Sequence, residues 1–227
     1  GEYVVGCMSF SVEEGLEGYF LVAAHIVVSR GYIMPMTLRY LALCAAVPVA
    51  GLMRAVLHAL CEEYKEDIPA LGDADPMGVY ELRCELFVTA LAHRDRTYAC
   101  VERVAADWVD AHVSHDAEAA SLKRRVAQLL ELDRAFAPRT GQSRDAVAQF
   151  SYDADAVMDV LEGMELPDPG LFTPRPSEIE IHIPGGVGDV IRDPDGGVWI
   201  HAERISHKRG HAPQPQPVTI ESLAVPA

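Results

Sequence analysis

Between residues 107 and 116 the chain reads Asp107-Trp108-Val109-Asp110-Ala111-His112-Val113-Ser114-His115-Asp116, its densest run of potential ligands. On one continuous helix, His112 and His115 are three residues apart and Asp116 is four from His112. Two imidazoles and a carboxylate then share a face, at a spacing that suits iron or zinc. Such a set needs further ligands from distant parts of the chain, for which His58, His93, Asp133 and Asp153 are available. The competing expectation is a packed His112 next to a helix end capped by Ser114 or Asp116.

Three other constellations fall short of a complete site. Pro184-Gly185-Gly186-Val187-Gly188-Asp189 is glycine-rich. A phosphate cradle, however, needs a helix N-terminus after it, and Val190-Ile191-Arg192 continues as a strand. Glu62, Glu63, Glu66 and Asp67 form an acidic helix end, expected to be solvated. Glu81 and Glu85 are one turn apart but flank Arg83, and no Glu-x-x-His follows them. The five cysteines, Cys7, Cys44, Cys61, Cys84 and Cys100, are widely spaced and include no CxxC. Most lie in apolar helical surroundings, where a thiol behaves as a small hydrophobe.

The chain must bury a core to position any of these groups, and it has the means. It has 227 residues, 49% hydrophobic and 23% charged, with a mean hydropathy of +0.06. That is enough for one good core with a small appendage. With 19 basic against 34 acidic residues the net charge is −15, which argues against nucleic acid or an anionic membrane as a partner. The one basic cluster, Arg204, His207, Lys208, Arg209 and His211, reads as a solvated tail. No signal peptide is evident, and the apolar stretch Leu41–Met53 is short and contains Pro48. The expectation is a cytoplasmic protein.

Ser11 and Glu14 form a capping box for a helix from Val12 to about Ser29, which Gly31 is placed to stop. Further helices are expected at about Met36–Ala46 and Val49–Lys65. Another starts at Asp75-Pro76 and runs to about Val113, with an interruption near His93–Thr97. The last long helix is Glu118–Phe136. After Pro138 the texture changes to a short strand at Gln149–Tyr152, a short helix at Asp155–Glu162 and a proline-rich crossing at Leu166–Ser177. The sequence EIEIHI (Glu178–Ile183) alternates as a strand, with Ile179, Ile181 and Ile183 on one face. Val190–Ile205 reads as a hairpin turning at Asp193-Pro194-Asp195-Gly196-Gly197. Together these last strands predict a three-stranded antiparallel appendage. The fold class is therefore mainly α, a helical bundle with a small C-terminal antiparallel β appendage. Its domains would be a helical domain at 1–164, the crossing and hairpin at 165–206, and a disordered tail at 207–227.

Residues 2–64 resemble the helical region that follows the barrel in cobalamin-dependent radical S-adenosylmethionine enzymes. The likeness rests on Glu2, Val4, Val5, Ser9, Phe10, Glu13 and Glu14, followed by Gly31, Pro35, Arg39, Tyr40 and Leu41. A weaker echo lies in FSYDADAVMDVLEG and the following LFTPRP. The resemblance implies a substrate-capping region that encloses a small-molecule or peptide substrate during methyl transfer to an unreactive carbon. It also implies a partner, namely an upstream radical barrel and cobalamin domain in the same chain or in a separate subunit. The parent enzyme would hold cobalamin, S-adenosylmethionine and a [4Fe–4S] cluster. This chain alone would hold none of them, since it lacks CxxxCxxC. Asp110-Ala-His112-Val-Ser-His115 approaches the cobalamin signature DxHxxG, but His115 replaces the glycine and the run is helical. Tyr19, His25, Arg39 and Tyr40 lie in the matching segment and are the expected substrate-facing residues, with core packing as the alternative for each.

Two other functions remain open. Adjacent His115-Asp116 resembles the HD-domain metallohydrolases and oxygenases, which are all-helical. This alternative is an independent metalloenzyme using His112, His115 and Asp116. The other is a non-catalytic helical interaction module that presents the Ile179/Ile181/Ile183 strand as an edge.

Overall fold

The computed structural model describes residues 11–30, 33–44, 46–137, 144–183, 189–192, 198–203, 206–207 and 217–219, and side chains within 11–29, 33–44, 46–137 and 145–181. Glu2, Val4, Val5, Cys7, Ser9, Phe10 and Gly31 lie outside them, as do the glycine-rich run 184–188, the hairpin turn 193–197 and most of the basic cluster.

Helix α1 (Val12–Ala24) starts at the expected capping box: Glu14 N–H donates to Ser11 Oγ, and Ser11 N–H donates to the Glu14 carboxylate. It does not run on as α-helix. His25–Arg30 winds as a π-helix, in which bonds close over five residues, and buries Val27 and Val28 completely. Helix α2 (Pro35–Cys44) follows, then α3 (Val49–Tyr64) after Pro48. Leu52, Val56, Leu57, Leu60 and Tyr64 of α3 are all buried, and α3 packs against α1, α4 and α5 at the centre of the bundle.

Helix α4 (Pro76–Ala92) begins at the expected Asp75-Pro76 cap, with Gly78 N–H donating to Asp75 Oδ1 at 2.7 Å. The predicted interruption is a break at His93, after which α5 (Arg94–His112) begins. The Thr97 hydroxyl donates to the Ala90 carbonyl at 2.7 Å, so the acceptor exposed by the break is satisfied inside the core. Helix α6 (Asp116–Phe136) packs on α5 and α2.

Strand β1 (Arg144–Phe150) leads to α7 (Ala154–Glu162). Helix α7 ends in a Schellman motif: Glu165 N–H bonds Val160 O and Met164 N–H bonds Leu161 O. Met164, not a glycine, takes the left-handed position, at φ 60°. The proline-rich crossing is pinned to the helical body. Phe172 is buried between Tyr40 (ring centroids 5.5 Å) and Tyr152 (5.9 Å), and Gln128 Nε2 donates to its carbonyl.

The protein is thus mainly α, with seven α-helices among the described residues and a small antiparallel β portion. The make-up of that portion differs from expectation. Strand β2 (Ser177–Ile183) does not join the hairpin. It pairs with β1 along its whole length, from Arg144 opposite Ile183 to Phe150 opposite Ser177, and with β5 (Ser206–His207) on its other side. The hairpin, β3 (Asp189–Arg192) with β4 (Val198–Glu203), forms a second sheet with β6 (Pro217–Thr219). The physical reason is burial. Ile179 and Ile181 belong to the same core as the helices, so β2 sits against the bundle between two neighbours and is not an outward edge. The β1–β2 pairing also joins residues on either side of the 164/165 boundary read from the sequence. Strands β5 and β6 fall within 207–227 and its border, where a disordered tail was expected. No helix among the described residues is long and apolar enough to cross a membrane.

Candidate functional site

Two of the concavities among the described residues could receive a ligand. A groove of 590 Å³ runs between α1, α3, α4 and α5, walled by Glu17, Phe20, Arg54, His58, Leu71 and Trp108. Its floor needs a residue without a side chain. A Cβ on Gly51 would stand 2.7 Å from Trp108 Cζ2, so the indole lies directly on the backbone of α3. His112 stacks on the same indole at 4.3 Å. The Trp108 Nε1 atom is shielded and has no hydrogen-bond partner among the described residues. At the rim, Arg54 pairs with Glu17, and Glu62 pairs with Lys65 at 2.8 Å, so these charges are compensated internally. The Cys61 thiol below is pushed up to about 12 by burial, and further by Glu62, so it stays a neutral apolar group.

A cleft of 790 Å³ lies between β1, the end of α6 and the α4–α5 break. It is the larger of the two, and Phe150 is its one aromatic lining residue; Arg134 pairs with Asp95 and Arg94 donates to the Arg134 carbonyl. The smaller groove, with aromatic walls and an internally compensated rim, has the character of a small-molecule site.

The four residues expected to face substrate are not brought together. Tyr40 is fully buried, with its ring against Phe172. Its hydroxyl makes no hydrogen bond of normal geometry. The Cys44 thiol and the Arg125 guanidinium are nearby polar groups, and burial raises the phenol's pKa well above its ordinary value. Arg39 donates to the Leu161 carbonyl at 3.0 Å and so ties α2 to α7. Tyr19 stacks edge-on against Tyr80 at 5.3 Å. His25 is exposed on the π-helix. None of the four lines the groove.

The His112, His115, Asp116 set does not have the geometry assumed for it. Helix α5 ends at His112 and α6 begins at Asp116, so the three side chains straddle a connection and do not share one helical face. His112 Nδ1 lies 2.8 Å from the Trp108 carbonyl oxygen. The distant partners are also engaged elsewhere: His58 packs near Phe20, His93 near Tyr64, and Asp153 caps α7. No group of three or more His, Cys, Asp or Glu with metal-holding geometry occurs among the described residues. Cys44, Cys61, Cys84 and Cys100 are free thiols on four different helices. They do not fit a [4Fe–4S] cluster.

Asp133, read from sequence only as one possible metal partner, has another role. It is 1% exposed and accepts three hydrogen bonds from the start of α2: Met36 N–H at 2.8 Å, Thr37 N–H at 3.0 Å and Thr37 Oγ1–H at 2.7 Å. A signal for it exists in the sequence. Helix α2 has no Ser, Thr, Asp or Asn directly before Pro35, so its first amides require an acceptor from elsewhere.

Comparison with known proteins adds no relative: no family model, no curated protein and no solved structure matches the chain. The fold is a mainly α bundle that carries the aromatic-walled groove.

Proposed function

We propose that the chain is a helical substrate-capping region of a cobalamin-dependent radical S-adenosylmethionine enzyme and contributes enclosure to methyl transfer, without chemistry of its own. The observation that carries this reading is the groove. Helices α1 and α3, which lie in the segment resembling that family, supply Glu17, Phe20, Arg54 and His58 to its walls. Walls of this kind exclude water and so protect a reactive intermediate. The residues assigned to the substrate side are accordingly Phe20 and His58, in place of Tyr19, His25, Arg39 and Tyr40. The cobalamin, S-adenosylmethionine and cluster belong to the barrel partner.

Capture of the native polypeptide from its source cells, with an antibody to this chain, tests the reading. It requires a much longer product with three clustered cysteines, or a co-purifying subunit that carries them. A lone product of about 24.7 kDa with no such partner refutes it. Cluster absorbance after iron and sulfide reconstitution of this chain alone refutes it as well.

One observation favours a second reading, a protein-interaction module. Strand β1 is the end strand of its sheet among the described residues, and its residues Ala148, Gln149 and Phe150, with the following Ser151, line the larger cleft in unbroken succession. Consecutive strand residues point to opposite faces, so the cleft runs along the backbone edge, where an extended segment can pair. The edge is thus β1, not the Ile179/Ile181/Ile183 strand. On this reading Val147→Lys, at an exposed position, abolishes a pull-down partner. An unchanged partner set dismisses it.

A further inference from the structure

We propose that Asp133 is a proton-linked latch: its carboxyl group ties the start of α2 to α6, and the gain or loss of its proton sets how firmly α2 is docked. Among the described residues it is the one buried carboxylate. It holds α2 at the point where the chain leaves the π-helix. There Met34 N–H bonds Val28 O, and the Tyr98 hydroxyl donates to Ile33 O at 2.7 Å. Release of the carboxyl therefore loosens the first turn of α2, while the Arg39–Leu161 bond and the buried Leu38, Tyr40 and Leu41 still hold the rest of the helix.

Two effects oppose each other at this site. Three donors and the positive end of the α2 dipole favour the charged form. Complete burial disfavours it, and no cation lies within ion-pairing distance among the described residues. Thr37, Met36 and Arg39 of α2 act on the carboxyl, and the carboxyl acts in turn on Tyr98 of α5 and on Tyr152 after β1; Arg94 and Arg134 lie near Tyr98, and Glu131 near Tyr152. Arg39, whose guanidinium donates to the Leu161 carbonyl, favours the charged carboxyl through its charge, the last of the causes acting on it. Glu131 is a carboxyl raised above its ordinary range by burial and by Glu102, and it offers no neutralising charge. Burial is the larger effect and raises Asp133 to about 7; the hydrogen bonds from Thr37 and Met36 only partly offset it. Both protonation states fit the site, because the Thr37 hydroxyl can donate to the carboxylate or accept from the acid.

The sign follows from linkage. The folded state holds the proton more tightly than the unfolded chain. Stability is therefore greatest below the ordinary aspartate range and falls as pH rises towards 7. With an unfolded value near 3.9, the unfolding constant rises about 50-fold between pH 5 and pH 7 on account of this one group.

The experiment is urea denaturation of the wild-type chain, Asp133→Asn and Glu131→Gln across pH 5 to 8.5, with hydrogen exchange at the start of α2 as the local readout. The proposal expects the wild type to lose stability with pH relative to Asp133→Asn, Glu131→Gln to keep that loss apart from what its own raised carboxyl contributes, and exchange protection at Met36 and Thr37, taken against the intrinsic exchange rate at each pH, to fall over the same window in the wild type and not in Asp133→Asn. Parallel pH profiles for wild type and Asp133→Asn overturn it, and so does a wild type that gains stability with pH. Where Asp133→Asn does not fold, Thr37→Val serves instead. Loss of a hydroxyl that favours the charged form moves the pH window upward, and an unmoved window overturns the proposal.

Discussion

Gly51 is the third residue of α3, in its first turn, where alanine is ordinarily the better residue. An interior helical glycine costs about 0.5–1 kcal/mol relative to alanine, so Gly51→Ala would stabilise an isolated α3. The tertiary structure reverses the sign. The added methyl would stand 2.7 Å from Trp108 Cζ2 and 2.9 Å from Cη2. A retreat of the indole would disturb its 4.3 Å stack on His112. Overpacking of this kind costs about 1–3 kcal/mol. The net expectation is a loss of roughly 1 kcal/mol, which for a chain of this size lowers Tm by about 2–4 °C. Chemical denaturation of Gly51→Ala, Trp108→Leu and the double variant measures the contact itself. In the Trp108→Leu background the clash is gone, and Gly51→Ala should stabilise by about 0.5–1 kcal/mol. If Gly51→Ala stabilises both backgrounds equally, the close approach of α3 and Trp108, and with it the floor of the groove, is wrong.

Three further outcomes follow from the fold. Met164→Gly should stabilise the protein by about 1 kcal/mol, since Met164 is 61% exposed and holds a left-handed conformation that glycine adopts without strain; a destabilised variant in thermal denaturation would contradict that. Thr97→Val should cost about 1–3 kcal/mol, because the hydroxyl lies 2.7 Å from both Ala90 O and Tyr64 Oη in a buried site, and its removal takes the donor from Ala90 O while Tyr64 Oη keeps only the 3.3 Å bond to His93 O. A urea midpoint equal to that of the wild type would refute this account of the α4–α5 break. The Cys61 thiol, raised to about 12, should resist maleimide at pH 8 in the folded protein and react once it is denatured; peptide mapping by mass spectrometry reads the difference directly.

The helical half of the fold was legible because its signals are local. Ser11 with Glu14, Asp75 with Pro76, and the spacing of Leu52, Val56, Leu60 and Tyr64 each specify a start or a face within a few residues. The strand partners were not legible in the same way. The alternation of EIEIHI shows that one face is apolar, but not what covers it or which strand lies alongside. Here the answer was β1, which lies 27 or more residues away. The candidate site was the least legible part. Tyr40 and Arg39 have the chemistry of substrate contacts, but the structure uses them in a buried aromatic cluster and a carbonyl clamp. Phe20, Gly51, His58 and Trp108 carry no motif and meet only because α1, α3 and α5 cross.

Sequence alone thus determined where the helices begin and which faces they bury, because capping and amphipathic spacing act over one or two turns. Tertiary structure decided which of two equally polar fates a side chain met. Asp133 illustrates this most directly: nothing near it in sequence needs a carboxylate, whereas helix α2, almost a hundred residues earlier, lacks a cap of its own. The two were matched only when packing brought an unsatisfied helix start to a buried acceptor, and desolvation makes that pairing obligatory.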